Sequence, residues 1–221
     1  MAVRKVPRFP VLEPLRFPRL DHAPANAPGA RGSYDLIEFT DATAHEDSLD
    51  GASFSECVLN GITGEELSLR GARISETRIT GLNVPTLRGS RVLFRDAELL
   101  GSRVGAMEVH DGEFRGTLIA ESKFGWVNFR AAQLQRVVFR DCVFSELDFG
   151  GATLAGVSFE NCRVDTLQID GARLSDVDLR GLTIIGSISD AQNLRGATIS
   201  SQQAAELTRV FASHLGISVE D

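Results

Sequence analysis

Residues 124–159 read FGWVNFRAAQLQRVVFRDCVFSELDFGGATLAGVSF, and every fifth residue is large and apolar: Phe124, Phe129, Leu134, Phe139, Phe144, Phe149, Leu154, Phe159. The frame extends in both directions. From Phe39 to Ile199 it gives 33 positions, of which 29 are Leu, Ile, Val or Phe; the exceptions are Ala44, Gly64, Gly89 and Ser189. Two residues before each centre stand small or modest apolar side chains such as Ala132, Val137, Cys142, Leu147, Ala152 and Val157. Two residues after it fall 12 of the 21 glycines, among them Gly51, Gly71, Gly101, Gly151 and Gly171. The other positions are mostly polar.

A period of five suits neither regular element. Five helical steps of 100° leave a side chain 140° off its face, and five strand steps put it on the opposite side. The spacing of two between inward residues is locally strand-like, and a glycine once per repeat suits a turn. A chain turning about 90° every five residues closes a square coil every twenty, and coils stack about 4.8 Å apart. The 161 residues from 39 to 199 then make about eight coils, a rod roughly 40 Å long. The predicted fold is an all-β solenoid.

The pattern resembles the pentapeptide-repeat family, whose repeat is a small residue, Asp or Asn, Leu or Phe, a polar residue and Gly. It is carried by Gly-Ala-Ser-Phe-Ser (51–55), Gly-Ala-Thr-Leu-Ala (151–155), Gly-Ala-Arg-Leu-Ser (171–175) and the run from Ser175 to Gly181, over about three quarters of the chain. The Asp/Asn position is filled as such only at places like Asn83, Asn128, Asp148 and Asp178. The resemblance implies a right-handed quadrilateral β-helix. It also implies a protein that works by contact with other proteins; some members imitate B-DNA, bind DNA gyrase and protect it from fluoroquinolones.

The coil accounts for an odd composition, 13 Phe against one Trp and one Tyr. Residues twenty apart stack, which pairs Phe124 with Phe144, Phe129 with Phe149, Phe139 with Phe159 and Phe94 with Phe114. A hydroxyl in that column would need a partner. Gly64 and Gly89 at centres leave voids that Leu67 or Leu87 could fill, so the first coils are expected to be less regular. Asp47 and the pair Ser187 and Ser189 fall at inward positions.

The ends differ from the repeat, which predicts three units: an arm (1–33), the β-helix (34–200) and a terminal helix with a short strand (201–221). Six of seven prolines, Pro7, Pro10, Pro14, Pro18, Pro24 and Pro28, fall in the first 28 residues and predict an extended arm. Arg4, Lys5, Arg8, Arg16 and Arg19 against Glu13 give its first twenty residues a net charge of +4, with −11 over the rest and −7 in all. The arm either clasps the rod or binds a partner. After Ile199, Ser200 or Ser201 can cap a helix over 202–215 that Gly216 stops, followed by Ile217 and Val219 as a short strand. Leu207, Val210, Phe211 and Leu215 form its apolar face, which either caps the last coil or makes a homodimer contact.

The chemistry-bearing residues are scattered. Cys57, Cys142 and Cys162 sit at inward positions and read as core thiols suited to a reducing, cytoplasmic setting. His22, His45, His110 and His214 show no ligand spacing, and no phosphate loop, nucleophile elbow or H-E-x-x-H occurs. The sequence therefore predicts no enzyme, no cofactor and no metal. No apolar run is long enough for a membrane-spanning helix, the basic start lacks a signal-like apolar stretch, and the acidity argues against direct nucleic-acid binding. Sorting outward residues by side isolates one acidic side, centred on Phe39, Leu59 and Ile79, with Glu38, Asp41, Glu98, Glu121, Asp141, Glu160 and Asp178 against Arg78, Arg140 and Arg180. It is the candidate face for a protein partner, gyrase being the one the resemblance implies.

Overall fold

In the computed structural model the described residues are 10–23, 28–43, 49–214 and 216–220. Of the residues singled out above, Arg4, Lys5, Pro7, Arg8, Pro24, Ala44, His45, Asp47 and Leu215 lie outside them. The five-residue frame folds as a β-solenoid of about eight turns. Each coil pairs with the next in parallel at an offset of twenty: Phe94 with Phe114, Phe114 with Leu134, Leu134 with Leu154, Leu154 with Leu174. Early coils are built largely from three-residue strands, as in Ser53–Ser55, Arg73–Ser75 and Arg78–Thr80. Later ones use strands that run across two sides, such as Glu113–Ala120 and Lys123–Asn128. Before Gly64, Thr63 makes isolated bridges to Thr43 and Asn83 in place of a full strand.

The centres meet inside the rod. All four anticipated phenylalanine pairs stack nearly parallel, with centroids 5.2 Å apart for Phe94 and Phe114, 5.3 Å for Phe124 and Phe144, 5.3 Å for Phe129 and Phe149, and 4.8 Å for Phe139 and Phe159. Neighbouring columns meet edge to face, as Phe139 does Phe144 at 5.9 Å, the geometry the ring quadrupole favours. Beside Gly89, Leu87 and Val109 take the space a side chain would have used, which keeps that layer filled. Tyr34, the single tyrosine, tops the Phe54 column at the rod's open end. There its ring stacks on Phe54 at 5.1 Å and its hydroxyl accepts from the Gly29 amide at 2.7 Å.

Turning tightly requires a left-handed residue, and it falls two positions after the centre. Gly51, Gly71, Gly151 and Gly171 have φ of 64–66° there, but Glu76, Arg91, Ala131, Arg136 and Asp141 occupy the same place at 48–57°. The corner after centres 84, 104, 124 and 144 uses none: the strand runs through Thr86, Ala106, Trp126 and Glu146 without a positive φ. Ala131 (φ 55°) bears the left-handed penalty with no polar side chain to offset it. Ala131→Gly is therefore expected to stabilise the fold by about 1 kcal/mol, read as a raised urea midpoint.

The frame slips once, contrary to its regularity in sequence. Val164 pairs with Ile184 at an offset of twenty, but Thr166 pairs with Ser187 and Leu167 with Ile188, so one residue bulges out near Gly186. The bulge puts Ile188, not Ser187, opposite inward Leu167, which avoids an apolar layer ending in hydroxyls. Ser189 instead accepts from the Ile169 amide (3.1 Å) and donates to Asp170 (2.6 Å). A single turn at Ala191–Leu194 then restores the offset, and Ala197 pairs with Val177.

The terminal helix is two short ones, α1 (Ser201–Glu206) and α2 (Thr208–His214). Ser200 caps α1 in a reciprocal box with Gln203, as the sequence suggests. The chain bends at Leu207, which turns both Leu207 and Ala212 inward. Gln203 also donates to the Leu179 and Leu182 carbonyls (2.6 and 2.7 Å), so the helices close the last coil's open edge. Val210 and Phe211 are half-buried, and Ile217 and Val219 stay exposed and form no strand. Between α1 and the last coil lies a cavity of about 440 Å³ lined by Leu179, Ile184, Ile188, Leu194, Leu207 and Val210.

Candidate interaction face

The repeat fixes where the acidic residues go. Those one residue before the centre form a column, Arg78, Glu98, Leu118, Val138, Ser158 and Asp178, stacked in register. Those two after it form another, of which Asp41, Glu121 and Asp141 have left-handed backbone. All seven candidates lie on one side of the rod, but they do not form an open anionic stripe.

Five of the seven are engaged by other residues of the chain. Glu38 lies 3.4 Å from His22, Glu160 2.5 Å from Arg140, and Asp141 accepts from the Asn161 amide at 2.6 Å. Asp178 is nearly buried and takes Arg180 on both carboxylate oxygens as well as its backbone N–H. That local contact is the turn the Asp/Asn position makes elsewhere, where Asn128 and Asp148 accept the amides of Arg130 and Gly150. Asp178 and Glu160 hold the guanidinium groups of Arg180 and Arg140 above their usual pKa by hydrogen bonding. Such exposed pairs contribute little stability, yet they lower the field that the carboxylates present outward.

Glu98 departs furthest from the sequence reading. Only 4% exposed, it accepts from the Leu15 backbone N–H at 2.8 Å and from Arg78 Nε at 2.5 Å. Arg78 in turn donates to the Leu15 carbonyl at 3.0 Å, and its guanidinium sits 5.1 Å from the Phe17 ring. The proline-spaced arm thus lies along the side that reads as acidic. Of its described residues, Val11 and Leu12 line a cavity with Gly116 and Arg136, and strand β1 (Asp21–His22) pairs in parallel with Ile37 and Glu38. Sequence reasoning counted Arg78 only as an interruption and missed its role as the arm's anchor. Glu98 stands twenty residues after Arg78, a spacing the period itself makes a contact.

Among the described residues no three His, Cys, Asp or Glu side chains come together as metal ligands would. The three thiols are free and buried. Each donates to a carbonyl two residues back, Cys57 to Ser55 (3.1 Å), Cys142 to Arg140 (3.2 Å) and Cys162 to Glu160 (3.4 Å). The adjacent Cys162 thiol, and then burial, push Cys142 well above the usual thiol range; burial pushes up Cys57. No helix among the described residues is long and apolar enough to cross a membrane.

Residues 123–188 match the sequence pattern described as a pentapeptide repeat region. No curated protein matches the chain. Among solved structures, a trypsin-treated form of QnrB1, a plasmid-mediated fluoroquinolone resistance protein, is 17% identical; the match covers 90% of this chain and 96% of that one, with a TM-score of 0.31. HetL, a pentapeptide repeat protein involved in heterocyst differentiation regulation from the cyanobacterium Nostoc sp. strain PCC 7120, is 18% identical over 77% of this chain and 90% of its own, with a TM-score of 0.34.

Proposed function

Since this chain is a pentapeptide-repeat β-solenoid protein, we propose that it acts as a non-enzymatic scaffold for a protein partner. The observation that carries this is the stacking of outward side chains in register. Successive coils repeat each column at strand spacing, which makes long, ordered surfaces, while the interior is filled by apolar side chains. Within the acidic side, Asp41, Glu121, Asp141 and Glu160 are the exposed members and the proposed contact residues. The terminal face of Leu207, Val210 and Phe211 serves as the cap; Leu207 and Gln203 give it that work.

Crosslinking followed by mass spectrometry tests the reading. A partner should crosslink next to Glu121, Asp141 and Glu160, and charge reversal of all three to Lys should abolish the crosslink while leaving the fold intact. A partner held equally well by the triple variant would place the contact elsewhere. The DNA-imitating alternative requires a continuous negative column, and Arg78, Arg140 and Arg180 neutralise this one in part. A gyrase supercoiling titration, alone and with a quinolone, is therefore expected to show neither inhibition nor protection. A salt-sensitive effect at micromolar protein would favour the imitator instead.

A further inference from the structure

We propose that the Arg78–Glu98 pair is a docking site for an extended polypeptide segment, and that residues 10–23 of this chain are its resident, replaceable occupant. The site reads a segment in two ways. Glu98 and Arg78 take the N–H and C=O of one residue, Leu15, as a β-strand edge would. Arg78 then receives the face of an aromatic ring two residues further on, Phe17. Pro14 and Pro18 flank these positions and hold the segment extended without competing for its hydrogen bonds. The recognised chemistry is thus a proline-flanked, extended stretch with an aromatic residue two after the anchor, and the occupant to which the site commits is such a segment of the partner protein.

The arm's seating is that of a cover that can leave. Its described contacts are a two-residue strand with the His22–Glu38 contact, Ala23 against the core, the Leu15 bonds and the Phe17 ring, while Val11 is 84% exposed. Leu12 and Leu15 line a cavity of about 340 Å³ together with Asp96, Leu118 and Arg136, so the described part of the arm leaves space in its groove. Segments with few buried apolar contacts open at little free-energy cost. Release uncovers a carboxylate and a guanidinium that are already paired, so neither is left as an unpaired buried charge. The identity of the occupant rests on the scaffold reading above; the arm's replaceability does not.

The test uses the full chain and a labelled peptide with the sequence of residues 10–20. In the double variant Leu15→Pro and Phe17→Ala, the arm loses its donor and its ring while the groove keeps all of its own groups. That variant should bind the peptide at least about tenfold more tightly than the unaltered chain, since a hydrogen bond to a charged group is worth about a factor of ten or more. Adding Glu98→Gln should cancel the gain. Independently, excess peptide should speed amide exchange in residues 10–23 of the unaltered protein, which needs no variant to fold. Equal binding to the variant and the unaltered chain, indifference to Glu98→Gln, or unchanged exchange would each overturn the proposal. Dimerisation of the unaltered chain that the peptide reverses would assign the groove to a second copy's arm and overturn the partner clause. Loss of the partner crosslink with peptide exchange retained would fail the scaffold reading alone.

Discussion

Phe139→Ala is expected to lower the unfolding free energy by about 4 kcal/mol, within the range for a buried aromatic truncation. The ring is fully buried, stacks on Phe159 at 4.8 Å and meets the edges or faces of Phe129, Phe144 and Phe149 at 5.9–6.5 Å. The cost of such a truncation depends on how far the surroundings collapse into the space. Here they are held apart: Phe139 pairs in register with Ile119 on one side and Phe159 on the other, and those ladders fix the coil spacing. Urea unfolding measures the loss. Amide exchange locates it, because each coil touches only its neighbours and protection should fall first over 119–159. A loss under about 1 kcal/mol would mean that the layer repacks freely, against this description of the core.

Gly125→Ala is expected to cost about 3 kcal/mol, although its φ is not left-handed. A Cβ at Gly125 would strike the carbonyl oxygen of Gly105, and one at Gly105 would lie 2.5 Å from that of Pro85. The backbone cannot move away, since Phe124 pairs with Val104 and Trp126 with Ala106 on either side of the contact. Gly151 provides the contrast. Its φ is 65° and a Cβ there meets nothing within 4 Å, so Gly151→Ala costs only the left-handed penalty, about 1 kcal/mol. Thermal and urea midpoints for the two variants should therefore separate clearly. If they coincide, the glycines serve turning alone, and the close approach at Gly105 and Gly125 imposes no constraint.

The coil was legible because a core one residue thick leaves its period in the chain. Phe124 to Phe159 announces the stack, and the glycines two positions later mark the corners. What escaped has no period. The bulge near Gly186 inserts one residue and is absorbed by the turn at Ala191–Leu194, so Ile199 still falls in frame and hides the slip. The arm's landing place depends on where a non-repeating segment meets the rod, and no spacing encodes that. The acidic side was read as a sum of charges, which ignores what stands in the adjacent coil. Arg78 with Glu98 and Arg140 with Glu160 are each twenty apart, so the repeat already contained the pairing that engages these two carboxylates. The bend at Leu207 follows from burying Leu207 and Ala212 together, a demand made by the last coil and not by the helix itself.

The central claim is that positions a multiple of twenty apart form straight columns along one rod. Arg73 and Arg173 are exposed and lie five coils apart in a single ladder. Each can be replaced by Cys and spin-labelled, the native thiols being buried and therefore unlabelled in the folded chain. Pulsed electron spin resonance should give one narrow distance distribution centred at about 24 Å between the backbone positions, five times the strand spacing. A broad distribution, or one centred well beyond about 40 Å, would contradict the stacked coil.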